Sequence, residues 1–129
     1  MMMSSKAQFR YFADPIYQID VWTVRGPDEA VNLAMKRVWP KFGSDGHRFE
    51  HNGMMCFQED GVRGARMFIV VSDDLKGRPL LATVAHECFH GCVRVMEHVG
   101  IDLVGQSEEA FAYYFDFLFE KSIKSLGVM

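Results

Sequence analysis

The sequence predicts a single α+β domain in which a short sheet packs on one long helix and a second helix follows. The chain has 129 residues, which suits one core, and 49% of them are apolar. Strand-like segments dominate the first half, whereas two long helical patterns occupy the second half. No internal repeat or low-complexity linker interrupts this order, so we expect one domain over residues 1–129.

The first third of the chain predicts one strand and one helix. Residues 1–15 are interpreted as a polar, loosely ordered lead-in. Apolar and polar residues alternate over Tyr17–Val24, which is typical of a half-buried strand. A helix is predicted over Glu29–Trp39, because Asp28 fits its N-cap and Pro40 cannot continue it.

Two further strands are predicted in the middle of the chain. Residues 43–53 are rich in turn formers and predict a loop that leads into a short strand, Met54–Gln58. Ala65–Ser72 is β-branched and continuously apolar, so it is the strongest strand prediction in the sequence. A polar linker over residues 73–79 separates this strand from the helical half of the chain.

Two helices are predicted in the C-terminal half. The first runs from Leu80 to about Val99, and Gly100 fits its C-terminal cap. The second begins after Ser107, which fits its N-cap, and ends before Gly127. The connection between them is short, so we expect the second helix to run antiparallel beside the first.

The charge balance and the cysteines exclude several classes of partner. A net charge of −3 and a pI of about 5.9 argue against a nucleic-acid-binding surface, which needs clustered Lys and Arg. No apolar run approaches the roughly 20 residues that cross a bilayer, so we expect no membrane partner. The three cysteines lack CxxC spacing, which indicates a reducing compartment, and we therefore expect a cytoplasmic protein.

The chemically informative motif is HExxH, which starts at His86 and ends at His90 in the first long helix. Residues four apart share a helix face, so both imidazoles lie about 6 Å apart along the axis and can bind one zinc ion. The carboxylate of Glu87 can reach a metal-bound water and act as general base without being a ligand. Cys88 and Cys92 lie on roughly the opposite face and are expected to be core thiols.

A catalytic zinc site normally has three protein ligands. A third histidine at the spacing HExxHxxGxxH is excluded, because Val93 and Met96 occupy the glycine and final histidine positions. Glu109, nineteen residues after His90, is the preferred third ligand, since an antiparallel helix can bring it to the metal. The alternative is that Glu109 and its neighbour Glu108 only complement the dipole of their helix.

The HExxH motif followed by Glu109-Ala110-Phe111-Ala112 resembles the gluzincin branch of the zinc metallopeptidases, the group that includes thermolysin. The same segment also looks like small HExxH proteins encoded by phages and prophages. The resemblance covers roughly residues 65–120. One position departs from it, because Tyr113 stands where the family commonly has an Asp that orients a metal-binding histidine.

The resemblance implies a zincin-like fold and metal-assisted hydrolysis of a peptide bond in a protein or peptide substrate. Zinc would be bound by His86, His90 and Glu109, and such a site also accepts Mn or Fe. Glu87 would deprotonate the water and pass the proton to the leaving amine. Ala65–Ser72 would be the edge strand that pairs with an extended substrate.

The sequence leaves two questions open. The donor that stabilises the oxyanion of a peptidase is not identified, and the candidates are His47, His51, Tyr113 and Tyr114. The function also has two alternatives: a zinc-bound protein-interaction module with a structural or vestigial site, or an ordinary helix without metal. The presence of Glu87 favours catalysis over a structural zinc site, because a structural site needs no base.

Overall fold

The computed structural model describes residues 6–44, 46, 48–50, 52–60 and 64–128. Within these residues the chain forms a four-stranded sheet and three α-helices, which confirms the predicted α+β class. None of the helices formed by the described residues has the length and apolarity that crossing a membrane requires. The elements in chain order are β1 (Gln8–Asp14), β2 (Ile19–Gly26), α1 (Asp28–Val38), β3 (Gly53–Asp60), β4 (Gly64–Ser72), α2 (Gly77–His98), a 3₁₀ turn (Gly105–Ser107) and α3 (Glu108–Ser125).

The strand order of the sheet is β1-β2-β4-β3, with β2 and β4 parallel and the other neighbours antiparallel. β4 is an interior strand, since Phe68 is in register with Trp22 of β2 on one side and with Cys56 of β3 on the other. The expectation that Ala65–Ser72 is an edge strand is therefore wrong. The edge beside β4 is formed by β3, because the parallel pairing with β2 occupies the other side of β4.

The N-terminal segment also differs from the prediction. Residues 8–14 form β1, which pairs along its whole length with β2, instead of a loosely ordered lead-in. The reason is that aromatic side chains on both faces of this segment find partners. Tyr11 packs on Trp22 on one face, with ring centroids 5.1 Å apart, whereas Phe12 contacts Phe117 of α3 on the other.

Two hydrophobic layers cover the two faces of the sheet. Met67, Ile69 and Val71 of β4 belong to the core beneath α2 and α3, while Phe68 and Val70 belong to the core beneath α1. This division follows from the two-residue period of a strand, which sends successive side chains to opposite faces. The sheet is therefore the middle layer, with α2 and α3 on one side and α1 on the other.

α2 begins at Gly77, three residues before the predicted Leu80, and Pro79 occupies its first turn. Proline is tolerated there because the first N–H groups of a helix have no intrahelical acceptor. The helix ends as predicted through Gly100, whose φ of 79° is costly for residues with a Cβ. The N–H of Gly100 donates to the carbonyl oxygen of Glu97 at 3.2 Å, which closes the last turn.

α2 approaches the sheet closely at Gly91. A Cβ atom at this position would lie 2.7 Å from Sδ of Met67 in β4 and 3.2 Å from Cδ2 of Leu118 in α3. Both distances are shorter than an ordinary van der Waals contact, so the two neighbours fit only because Gly91 has no side chain. Since Gly91 directly follows His90, this contact also sets the distance of the HExxH motif from the sheet.

We expect the substitution Gly91→Val to lower the free energy of unfolding by about 1–3 kcal/mol, because the new side chain overlaps Met67 and Leu118. Helix propensity alone favours valine over glycine by a few tenths of a kcal/mol, so a loss of stability isolates the clash. Urea unfolding monitored by circular dichroism measures the change. The control is Gly105→Ala, since no atom lies within 4 Å of a Cβ at that position; equal stability of the two variants would contradict the prediction.

Candidate metal centre

His86 and His90 face each other on the exposed side of α2 and form what we call the histidine pair. Their Nε2 atoms are 3.2 Å apart, and their ring centroids are 4.7 Å apart with the ring planes at 80°. The prediction that the two imidazoles share a helix face is confirmed. The rings bring the same type of nitrogen together on the exposed side of the helix.

The spacing of the histidine pair fits a bound divalent metal ion. Zinc–nitrogen distances of about 2.0–2.1 Å and tetrahedral angles place two ligand nitrogens about 3.3 Å apart. The observed 3.2 Å between the Nε2 atoms matches this separation. A hydrogen bond between two neutral imidazoles also has this length, provided that one Nε2 carries its proton and the other does not. The donor set thus suits zinc. The metal content of the purified protein distinguishes a zinc-binding pair from a pair joined by a hydrogen bond.

Glu87 points in a different direction from the histidine pair, toward β3. Its side chain is only 8% exposed, and it lies against Gly53 at the start of that strand. A Cβ atom on Gly53 would lie 3.1 Å from Oε2 of Glu87 and 2.5 Å from Cγ2 of Thr83. The carboxylate therefore lies against a position that has no side chain.

An open cleft of about 450 Å³ lies between α2 and the beginning of β3. His86 of the histidine pair and the carboxylate-bearing Glu87 both line this cleft, although they point in different directions from α2. A small molecule in the cleft would therefore be in reach of an imidazole and a carboxylate together. The cleft is lined by Asn52, Gly53, Ala82, Thr83, His86 and Glu87.

Burial raises the pKa of the Glu87 carboxyl above its ordinary value. The charges of His86 and His90 act in the opposite direction and lower the same pKa to a smaller extent. A carboxylate with a raised pKa holds a proton more readily than a free one, which is the property a general base needs near neutral pH. Glu87 therefore lies beside the cleft, and its carboxylate is a stronger base than that of a solvent-exposed glutamate.

The structure does not bring Glu109 to the histidine pair. Cys92 of α2 lies opposite Phe111 of α3, where the thiol contacts the carbonyl oxygen at 3.5 Å, and Gly91 lies opposite Leu118. In antiparallel helices with a rise of 1.5 Å per residue, this register puts Glu109 about one to three turns beyond His90. Glu109 is exposed there, and the described residues contain no group of three His, Cys, Asp or Glu able to hold a metal.

None of the candidates for an oxyanion donor lies in the cleft as described. Tyr114 is buried in the core, with its ring 5.3 Å from that of Tyr17, and Tyr113 projects from α3 with 69% of its surface exposed. His47 and His51 lie outside the described residues. The cleft as described therefore contains a candidate base but no residue that the sequence singled out as an oxyanion donor.

Sequence reasoning missed two residues that shape the cleft, Gly53 and Thr83. Thr83 precedes Glu87 by four positions, so helical spacing alone puts both on one face of α2. This signal was available in the sequence. Gly53 was interpreted as the end of a loop, and its contact with α2 depends on the pairing of β3 with β4, which no local pattern encodes.

Cys88 and Cys92 are fully buried on the inner face of α2, which confirms the expectation of core thiols. Burial raises the pKa of Cys88 to about 12 and that of Cys92 to about 11. At pH 8 about one such thiol in 1,000 or fewer is a thiolate, and only the thiolate is nucleophilic. Neither thiol is therefore equipped to react with a molecule in the cleft.

We expect the folded protein to react slowly with a thiol-specific disulfide reagent at pH 8, and all three free cysteines to react at once in guanidinium chloride. The rate in the folded state should rise with pH toward 11, as the thiolate fraction grows. Absorbance of the released chromophore measures both rates. A Cys56→Ser variant removes the half-buried thiol as a control, and rapid native labelling of Cys88 in that variant would contradict the prediction.

Comparisons of the chain with protein-family models, with curated proteins and with solved structures find no match.

Proposed function

We propose that this protein is a zinc-dependent hydrolase that cleaves a peptide bond in a protein or peptide substrate. The observation that carries the proposal is the 3.2 Å separation of the Nε2 atoms of His86 and His90, with the buried Glu87 in the adjoining cleft. Two imidazoles and one carboxylate of raised pKa are among the groups that metal-assisted hydrolysis uses. The gluzincin-like motif in the sequence supports the same reaction class.

Each group has a separate role in this proposal. His86 and His90 would hold the ion through their Nε2 atoms. A zinc ion at this position supplies Lewis acidity, which lowers the pKa of bound water and polarises a carbonyl group. Glu87 would accept the proton of the attacking water and later donate it to the leaving amine. The raised pKa of its carboxyl suits both the acceptance and the retention of that proton.

The position of β3 supports a peptide as the substrate. Among the described residues, no strand pairs with the outer edge of β3. β3 starts at Gly53, which forms one wall of the cleft. An extended peptide added to this edge would pass beside Glu87. We therefore assign the substrate-pairing role to β3 and not to Ala65–Ser72.

A zinc-bound interaction module is the second candidate. It is favoured by the position of Glu109, because a two-histidine site without a third described ligand lacks one ligand of a catalytic zinc and fits a vestigial centre. Glu109 as the third ligand stays a prediction, and it requires α3 to shift along α2 by about one to three turns. Both functions require metal binding, but only the hydrolase requires Glu87 for turnover.

We expect the purified protein to bind about one zinc ion per chain, and His86→Ala or His90→Ala to lose most of it, since each removes one of two adjacent donors. Mass spectrometry of dialysed protein measures the metal content. His98→Ala is the matched control, because His98 lies on the same helix and its Nδ1 faces Glu59 at 3.7 Å instead of the pair. A wild-type protein that stays free of metal in excess zinc would contradict the proposal.

The same measurement resolves the third ligand through a second matched pair. Glu109→Ala and Glu108→Ala each remove one exposed carboxylate from the first turn of α3. Weaker zinc binding in Glu109→Ala alone would identify Glu109 as a ligand. Equal zinc affinity in the two variants would assign both carboxylates to the helix dipole.

We expect Glu87→Gln to keep zinc and thermal stability but to lower peptide cleavage by about 100-fold or more, because the amide cannot accept the proton of water. Cleavage of a complex peptide mixture, monitored by mass spectrometry of new termini, provides the assay. Cleavage by Glu87→Gln at the wild-type rate would exclude the hydrolytic role of Glu87. A zinc-loaded wild type without any cleavage would favour the interaction module.

A further inference from the structure

The charges of the chain are distributed unequally along the sequence. Residues 95–120 contain six carboxylates and neither Lys nor Arg. The remainder of the chain therefore has 14 Lys and Arg against 11 Asp and Glu, since the total of 17 acidic residues includes these six. Residues 95–120 form the end of α2, the connection and most of α3. The negative charge of the protein is thus concentrated on this helical hairpin.

The exposed face of α3 presents these charges in a single row. Glu109, Tyr113, Asp116 and Glu120 follow one another at spacings of four, three and four residues, which places them on one side of a helix. All four are exposed. In the described part of the chain, Glu120 is 3.8 Å from Lys124, while neither Glu109 nor Asp116 has a cationic partner. We call these four residues the α3 face.

Large side chains with apolar surface are exposed on the α3 face and in the connection that precedes it. Tyr113 is 69% exposed in the middle of the α3 face, and Leu103 and Val104 are 61% and 55% exposed in the connection that leads into the helix. Contact with water accounts for the carboxylates on this face. It does not account for three large, exposed side chains with apolar surface at the same end of the hairpin. Tyrosine is enriched at protein interfaces, and charged residues commonly form the polar rim around their apolar centre.

We propose that the α3 face, together with Leu103 and Val104, is a docking surface for a basic amphipathic helix of a partner protein. The charge of the surface favours Lys and Arg on the partner, and its apolar residues favour a stripe of Leu or Ile between them. A helical partner matches the spacing of four and three residues along α3. Nucleic acid and anionic lipid are disfavoured, because their phosphates carry the same sign of charge as the surface.

This docking surface shares only Glu109 with the proposed zinc site. The other residues of the α3 face are not among the predicted ligands, and the cleft beside Glu87 is lined by α2, β3 and the adjacent Asn52. A hydrolase could use the surface to recruit its substrate, and an interaction module could use it as its main contact. The experiment therefore measures the binding of a peptide and not catalytic turnover.

The probe is a fluorescent model peptide of about 18 residues, or five helical turns, with Leu and Lys at amphipathic spacing. We expect saturable binding in fluorescence anisotropy, and a dissociation constant that rises about tenfold between low and physiological salt. A peptide with the same Leu positions and Glu in place of Lys should not bind. Equal binding of the two peptides, or no binding of the basic one, would overturn the proposal.

Matched variants assign the binding to the α3 face. We expect the double substitution Glu109→Lys and Asp116→Lys to weaken peptide binding about tenfold or more. The control is the double substitution Asp73→Lys and Asp74→Lys, which makes the same change of charge on exposed residues elsewhere. It should have little effect on binding. Tyr113→Ser should weaken binding without any change of charge. Equal loss of peptide binding in the two double variants would show that binding depends only on net charge, and would overturn the proposal.

Discussion

The packing of α2 on the sheet is the constraint from which the candidate site follows. Val84 and Cys88 are completely buried beneath the helix, and this burial fixes its rotation about its own axis. Each fully buried apolar side chain contributes roughly 1.5–3 kcal/mol, so a different rotation would cost several such contributions. Once the rotation is fixed, the step of about 100° per residue sends the histidine pair outward and Glu87 toward β3. The chemistry of the motif is therefore set by the core below it.

Glu87 shows the energetic cost of this arrangement. A carboxylate that is removed from water loses hydration, and its raised pKa records that loss. Gly53, against which it lies, contributes space and no compensating charge. Apolar packing alone would favour a hydrophobic residue at this position. A buried carboxylate beside an open cleft and two imidazoles is the kind of unfavourable placement that proteins retain where chemistry occurs.

The sequence was sufficient to predict what depends on spacing within one element. The shared face of His86 and His90, the burial of Cys88 and the end of α2 at Gly100 all follow from helical periodicity and local caps. Relations between elements were not predictable in the same way. The nineteen residues from His90 to Glu109 measure distance along the chain, whereas the register of α2 and α3 is set by contacts such as Gly91 with Leu118. The interior position of β4 likewise depends on its parallel pairing with β2, a strand far away in sequence.

The strand order has a consequence for how the protein folds. The sheet consists of two antiparallel ribbons, β1 with β2 and β3 with β4, that meet along one parallel seam. Each ribbon joins residues that are close in sequence, whereas the seam pairs Ile19 with Ala65, 46 positions apart. Closing a longer loop costs more entropy, and contacts of high sequence separation form slowly. Formation of the seam is therefore the step that we expect to limit the folding rate. α2 follows the second ribbon along the chain and packs on its strands β3 and β4, so the surface beneath α2 does not depend on that seam.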